Sequence, residues 1–151
     1  MKKTIATIAI TAVVTAAIAA ACFAGCAKKS VKQTATAYLN QDENTVTATV
    51  DISDGYSCDI ARGAIYLSDD KDNAVAMGLT LGQDTYEDYL AAAKADAESK
   101  ELDDGVMFQR DGEMIFVKTV GESAYFGVFA DNATPAQMEK LVERFVVAPE
   151  F

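Results

Sequence analysis

The residues able to do covalent or acid–base chemistry are few in kind: three cysteines, Cys22, Cys26 and Cys58, and 23 acidic side chains against 13 basic ones. Histidine is absent from all 151 residues. That removes Ser–His–Asp and Cys–His arrangements, the commonest general base, and the usual ligands of zinc. Two carboxylates at a suitable separation suffice for glycoside hydrolysis, but nothing in the sequence selects a pair from 23. The acidic run Ser68-Asp69-Asp70-Lys71-Asp72-Asn73 invites a calcium reading. Asp70 and Asp72 have the first spacing of an EF-hand loop, yet neither its glycine nor its distal glutamate follows, so a polar hairpin loop is expected. Gly78 and Gly82 are not followed by a phosphate-binding pattern.

Two of the three thiols close the longest apolar run. Residues 4–27 carry no charge and follow Lys2 and Lys3, the charged start and apolar middle of a secretory signal. The run is long enough to span a bilayer, but it is mostly Ala and Thr, and Lys28 and Lys29 flank it as Lys2 and Lys3 do. A cleaved segment fits better than a permanent helix. Its end, Phe23-Ala24-Gly25-Cys26, resembles the lipobox of bacterial lipoproteins, with Phe23 departing from the usual Leu, Val or Ile. Cys22, after Ala19-Ala20-Ala21, lacks the bulky residue three positions upstream and is the weaker match. The resemblance implies that the Cys26 thiol carries a thioether-linked diacylglycerol, with palmitate-type acyl chains as a lasting anchor. The expected division is a lipoprotein signal peptide at 1–25, a tether at 26–43 and one domain at 44–151. The expected location is the extracytoplasmic face of the cell membrane.

Removing residues 1–25 leaves 126 residues with 11 basic and 23 acidic side chains, a charge of −12. Nucleic acid is an unsuitable partner for such a domain. Lys28, Lys29 and Lys32 form a small basic collar beside the anchor. Cys58, alone in the mature chain, reads as a buried small hydrophobe in preference to an intermolecular bridge.

The elements that would position these groups follow from hydrophobic periodicity. Residues 45–52 alternate apolar Val46, Ala48, Val50 and Ile52 with Thr47, Thr49 and Asp51, which predicts a half-buried strand. Asp54-Gly55 is expected to turn it into a hairpin with a second strand, residues 56–60, which Arg62-Gly63 breaks or bulges before residues 64–67 continue. A third strand, 74–81, sets Val75, Met77, Leu79 and Leu81 on one face. A helix is expected from Thr85, with Asp88 completing an approximate capping box and Tyr86, Tyr89, Leu90, Ala93 and Ala97 facing a sheet. Residues 106–109, 114–120 and 123–130 predict a meander through two-residue turns at Asp111-Gly112 and Gly121-Glu122. The last helix opens at Thr134 with Pro135 and Gln137, buries Met138, Leu141, Val142 and Phe145, and stops at Pro149.

The expected fold is therefore α+β, an antiparallel sheet in βββα-βββα order with two helices packed on it. This order, with D-I-S-D-G-Y (51–56), T-Y-E-D-Y (85–89), S-A-Y-F-G-V-F (123–129) and T-P-A-Q-M-E-K-L-V (134–142), resembles the PsbP-like superfamily, whose bacterial members include lipoproteins of the DcrB and LpqN kinds. Tyr56 stands where many members carry Trp. The resemblance implies an envelope module that binds a protein or a small ligand, with no catalytic residue, metal ligand or cofactor to carry over. The alternatives from other classes are a small hydrolase using an Asp/Glu pair and an acidic inhibitor or immunity protein for a basic partner.

Overall fold

The computed structural model describes residues 12–13, 34–41, 44–102 and 104–149. Among them are eleven strands and two helices: β1 Ala12–Val13, β2 Thr34–Gln41, β3 Asn44–Asp51, β4 Ser57–Ala61, β5 Ala64–Ser68, β6 Ala74–Leu81, α1 Gln83–Ala95, β7 Lys100–Leu102, β8 Gly105–Arg110, β9 Glu113–Val120, β10 Ala124–Asp131, α2 Pro135–Val142 and β11 Phe145–Pro149. The class is α+β with antiparallel pairing, as the alternation predicts. The order is not a repeated βββα. One sheet runs β1-β2-β3-β11 and the other β4-β5-β6-β10-β9-β8-β7.

The core sits between the two sheets. The larger contributes Ile65, Leu67, Met107, Phe116, Phe126 and Val128, the smaller Leu39, Val46, Ala48, Val50 and Phe145, and α2 adds Met138 and Leu141. On the opposite face of the larger sheet, α1 lays Tyr86, Tyr89, Leu90 and Ala93 over Leu81, Phe108, Ile115, Val117 and Phe129. The helices thus lie on opposite faces, because β9 and β10 are apolar on both sides and each side needs cover.

Several expected boundaries move. Residues 34–41, read as part of the tether, form β2, paired with β3 from Thr34↔Asp51 to Gln41↔Asn44. Thr and Ala alternate there with only Leu39 as a strong apolar marker, so the period was hard to see. Asp54 and Gly55 do adopt left-handed φ of 65° and 84°, but they turn the chain from one sheet into the other, and β4 does not pair with β3. Of the two outcomes expected at Arg62-Gly63, a break or a bulge, the chain takes the break: at φ 53° and 77° these residues form a tight turn between β4 and β5. Both central residues at positive φ match the right-handed twist of the flanking strands. The β9–β10 turn holds three residues, Gly121 to Ser123, since Val120 pairs with Ala124.

Helix α1 starts two residues earlier than Thr85, behind Gly82 and without a side-chain cap, and Ala97 lies beyond its end. Helix α2 has the expected cap: Thr134 Oγ1 accepts from Gln137 N–H and Gln137 Oε1 accepts from Thr134 N–H. It ends at Val142, and Phe145, expected on its buried stripe, is instead the first residue of β11. The β-branched pair Val146-Val147 favours a strand once β3 offers an open edge to pair with.

Strand β11 can lie close over β6 because β6 is small on that face. A Cβ at Gly78 would stand 2.6 Å from Phe145 Cε1 and 2.8 Å from Phe126 Cζ. Both rings are buried, so neither can swing aside. Gly78→Ala is therefore expected to destabilise the fold by about 1–3 kcal/mol through overpacking, measured by chemical denaturation; an unchanged midpoint would remove the close contact from the account.

Candidate functional site

Cys26 lies outside the described residues. Cys58 is on β4, an outer strand of the larger sheet, half-buried and unbridged. Burial, with the neighbouring Asp59 charge, pushes its thiol above the usual range, which makes it a poor nucleophile. In the acidic loop, Asp69 accepts hydrogen bonds from Asn73 N–H and Lys71 N–H, both at 2.9 Å, and these hold its carboxyl below the usual range. That carboxylate closes its own turn. Among the described residues no group of three or more acidic, Cys or His side chains converges as a metal site.

Two clefts flank α2. The first, of about 520 Å³, is bounded by Asp51, Tyr56, Val75, Asn132, Lys140 and Arg144. Its dominant cation is fully engaged. Arg144 Nη1 donates to the carbonyls of Asp51 at 3.1 Å and Ser53 at 3.2 Å, Nη2 donates to Asp54 Oδ2 at 3.2 Å, and the guanidinium lies 3.8 Å from the Tyr56 ring centroid. The side chain is 16% exposed. Arg144 thus stitches the corner between the sheets to the α2–β11 turn, so the aromatic singled out after Asp54-Gly55 has a structural partner.

The second cleft, of about 450 Å³, is built differently. Phe116, Phe126 and Val128 of the larger sheet form its floor, Phe145 and Val147 of β11 one wall, and Val142 of α2 another. Two ion pairs cross its rim: Lys118 Nζ to Asp104 Oδ2 at 2.6 Å and Lys100 Nζ to Glu139 Oε1 at 2.5 Å. Lys118 shares the inward register of Met114, Phe116 and Val120 on β9, and its side chain is only 12% exposed. A lysine on a core-facing row is the polar feature that alternation along 114–120 could have exposed from sequence. The pairing with Asp104, across the β7–β8 turn, could not be seen there.

Among the described residues the register sets two acids directly opposite each other, Glu113 on β9 and Asp131 on β10. Directly opposed side chains stand roughly 4.5–5.5 Å apart at Cβ. Burial, then the Asp131 charge, raises the Glu113 pKa. Arg110, opposite Glu113 on its other side, turns its guanidinium toward Asp111 at 3.8 Å, and Tyr89 of α1 lies over the same shallow hollow.

No protein-family model, no curated protein and no solved structure matches the chain.

Two outcomes follow from these contacts. Arg144→Met removes the guanidinium bonds to the Asp51 and Ser53 carbonyls in a half-buried corner and is expected to cost about 1–3 kcal/mol, read from the denaturation midpoint; a loss within about 0.5 kcal/mol of zero, the surface-substitution range, would show that the clip is dispensable. For Glu113, a raised folded-state pKa means that the native form binds its proton more tightly than the unfolded chain. Its contribution is most favourable below the ordinary carboxylate range and is lost as pH rises through the folded-state value. Glu113→Gln should flatten that part of the pH–stability curve and add on the order of 0.3 kcal/mol at neutral pH after solvent screening.

Proposed function

We propose that the chain is a lipid-anchored binding module of the cell envelope, held to the outer face of the membrane by acyl chains on Cys26, that takes its partner in the groove between α2, β11 and the larger sheet. The anchor rests on Phe23-Ala24-Gly25-Cys26 at the end of an uncharged run behind two lysines. The kinship with PsbP-like lipoproteins belongs to the same proposal and rests on the sequence stretches that carry it. The observation behind the binding role is the groove itself, an apolar floor of aromatic side chains rimmed by charged pairs. Concave apolar sites with a few placed polar groups are where proteins hold ligands.

Among the described residues the hydrolase alternative has one directly opposed carboxylate pair to offer, Glu113 and Asp131, at a hairpin end where Asp131 is exposed. Such a pair has no deep cleft to exclude water from a reacting bond. The inhibitor alternative draws only on the net charge of −10, which suits any cationic partner.

In cells fed radiolabelled palmitate, the wild-type chain is expected to take up label and Cys26→Ala to take up none; equal labelling of the two would sink the anchor. A photo-crosslinking residue placed at Val142 is expected to capture an enriched envelope component that the same residue at Lys94, on the exposed side of α1, does not. Identical recovery from both positions would remove the groove as the site.

A further inference from the structure

The two outer sides of the molecule differ in charge. The smaller sheet covers one face of the larger, and α1 covers the other. On the side of α1, Asp84, Glu87 and Asp88 stand exposed against Lys94. On the opposite side, the outward row of β3 is Thr45, Thr47 and Thr49, half-buried and alternating with the fully buried Val46, Ala48 and Val50. β11 extends this row with Val146 opposite Thr49 and Ala148 opposite Thr47, both exposed. Across β3 the register sets Thr36 and Tyr38 of β2 opposite the same two threonines. The charge at the end of the row, Asp51, lies 3.7 Å from the guanidinium of Arg144. A face of threonines, alanine and valine can leave bulk water without desolvating an unpaired ion.

Val146 is 65% exposed, the one exposed large apolar side chain among the described residues. A single such residue is ordinary on a protein surface. Its neighbourhood and the attachment of the chain give it meaning here. β2 opens at Thr34, eight positions after Cys26. Fully extended, that stretch reaches at most about 30 Å, roughly the width of a domain of this length. Acyl chains on Cys26 therefore draw the smaller sheet to the lipid. Lys28, Lys29 and Lys32, in the same stretch, favour anionic headgroups, which repel the acidic side of α1. The nearest acids in sequence, Asp42 and Glu43, follow β2 at its end away from the tether. Attachment also raises the local concentration of the face at the bilayer, so a contact too weak to hold a free domain becomes populated.

We propose that the outer face of the smaller sheet lies against the phospholipid surface, with Val146 and Ala148 in the interface and the acidic side of α1 turned away. This rests on the anchor at Cys26 proposed above.

The test uses the acylated chain purified from membranes in a Cys58→Ser background, with Val146→Cys or, separately, Lys94→Cys as the reporter. A charged thiol reagent is applied on vesicles of phosphatidylcholine and phosphatidylglycerol, and again in nonionic detergent. From detergent to vesicles, the rate at Val146→Cys relative to Lys94→Cys is expected to fall about tenfold, the protection of a face apposed about nine-tenths of the time. Ala148→Cys, on the same exposed row, reads the same outcome if Val146→Cys does not fold. Ala148→Glu beside the Val146→Cys reporter places a carboxylate on the face and is expected to restore most of the lost reactivity at an unchanged melting temperature. Equal relative rates on vesicles and in detergent would overturn the proposal, as would protection at Lys94 in place of Val146. Protection that persists in detergent and grows with protein concentration would also overturn it, since a second copy would then cover the face. An acylated chain without protection refutes only this inference, whereas a chain found by mass to carry no acyl group refutes the anchor and this inference with it.

Discussion

The packing of Phe145 over Gly78 is the contact on which the two-sheet arrangement depends. The ring fills the space that a side chain on β6 would occupy, and Phe126 closes it from the neighbouring strand at 6.0 Å between centroids. With that ring seated, β11 pairs with β3 and brings residues 145–149 onto the sheet begun by residues 34–51. The smaller sheet is thus assembled from the two ends of the domain. Its pairing closes a long loop, whose entropic cost grows only slowly with loop length.

From that seating the rest of the site follows. Because β11 is the last strand of the smaller sheet among the described residues while the larger continues for three strands, a groove opens between α2, β11 and the larger sheet. The same closure places Arg144, one residue before Phe145, beside the corner where β3 leaves for β4. Its guanidinium satisfies carbonyls that a sharp change of sheet would leave without donors. The two clefts beside α2 consequently differ in kind: in one the cation is spent on the fold, and in the other the cations stand at the mouth of an apolar floor.

Local chemistry was the part of the fold most legible in the sequence. The Thr134-Pro135-Gln137 start of α2, the Asp111-Gly112 turn at φ 52° and 83°, and the apolar row of α1 all depend on residues within a few positions of each other. Residues 34–41 give a weak strand signal because Thr and Ala alternation offers almost no hydrophobic contrast. Phe145 is ambiguous for the opposite reason: it continues the spacing of Met138, Leu141 and Val142, so a helical period fits it as well as a strand does. In the groove, Lys118 was legible as a charge on an inward row, whereas its ion partner and its aromatic floor come from three other strands.

The sequence by itself determined the elements whose cause is short-range: alternating strands, left-handed turns at Asp or Arg followed by Gly, a capped second helix, an acidic surface and a chain without histidine. It also carries, in Phe23 to Cys26, the whole basis for the proposed anchor, since a peptidase and an acyltransferase would read a linear stretch. Tertiary structure alone decided which strands share a sheet, that the helices take opposite faces, and that a groove opens beside β11. Those outcomes turn on whether one aromatic ring fits over one glycine 67 positions away in the chain, from Gly78 to Phe145. Packing of that kind depends on shape complementarity between distant side chains, and periodicity records no trace of it.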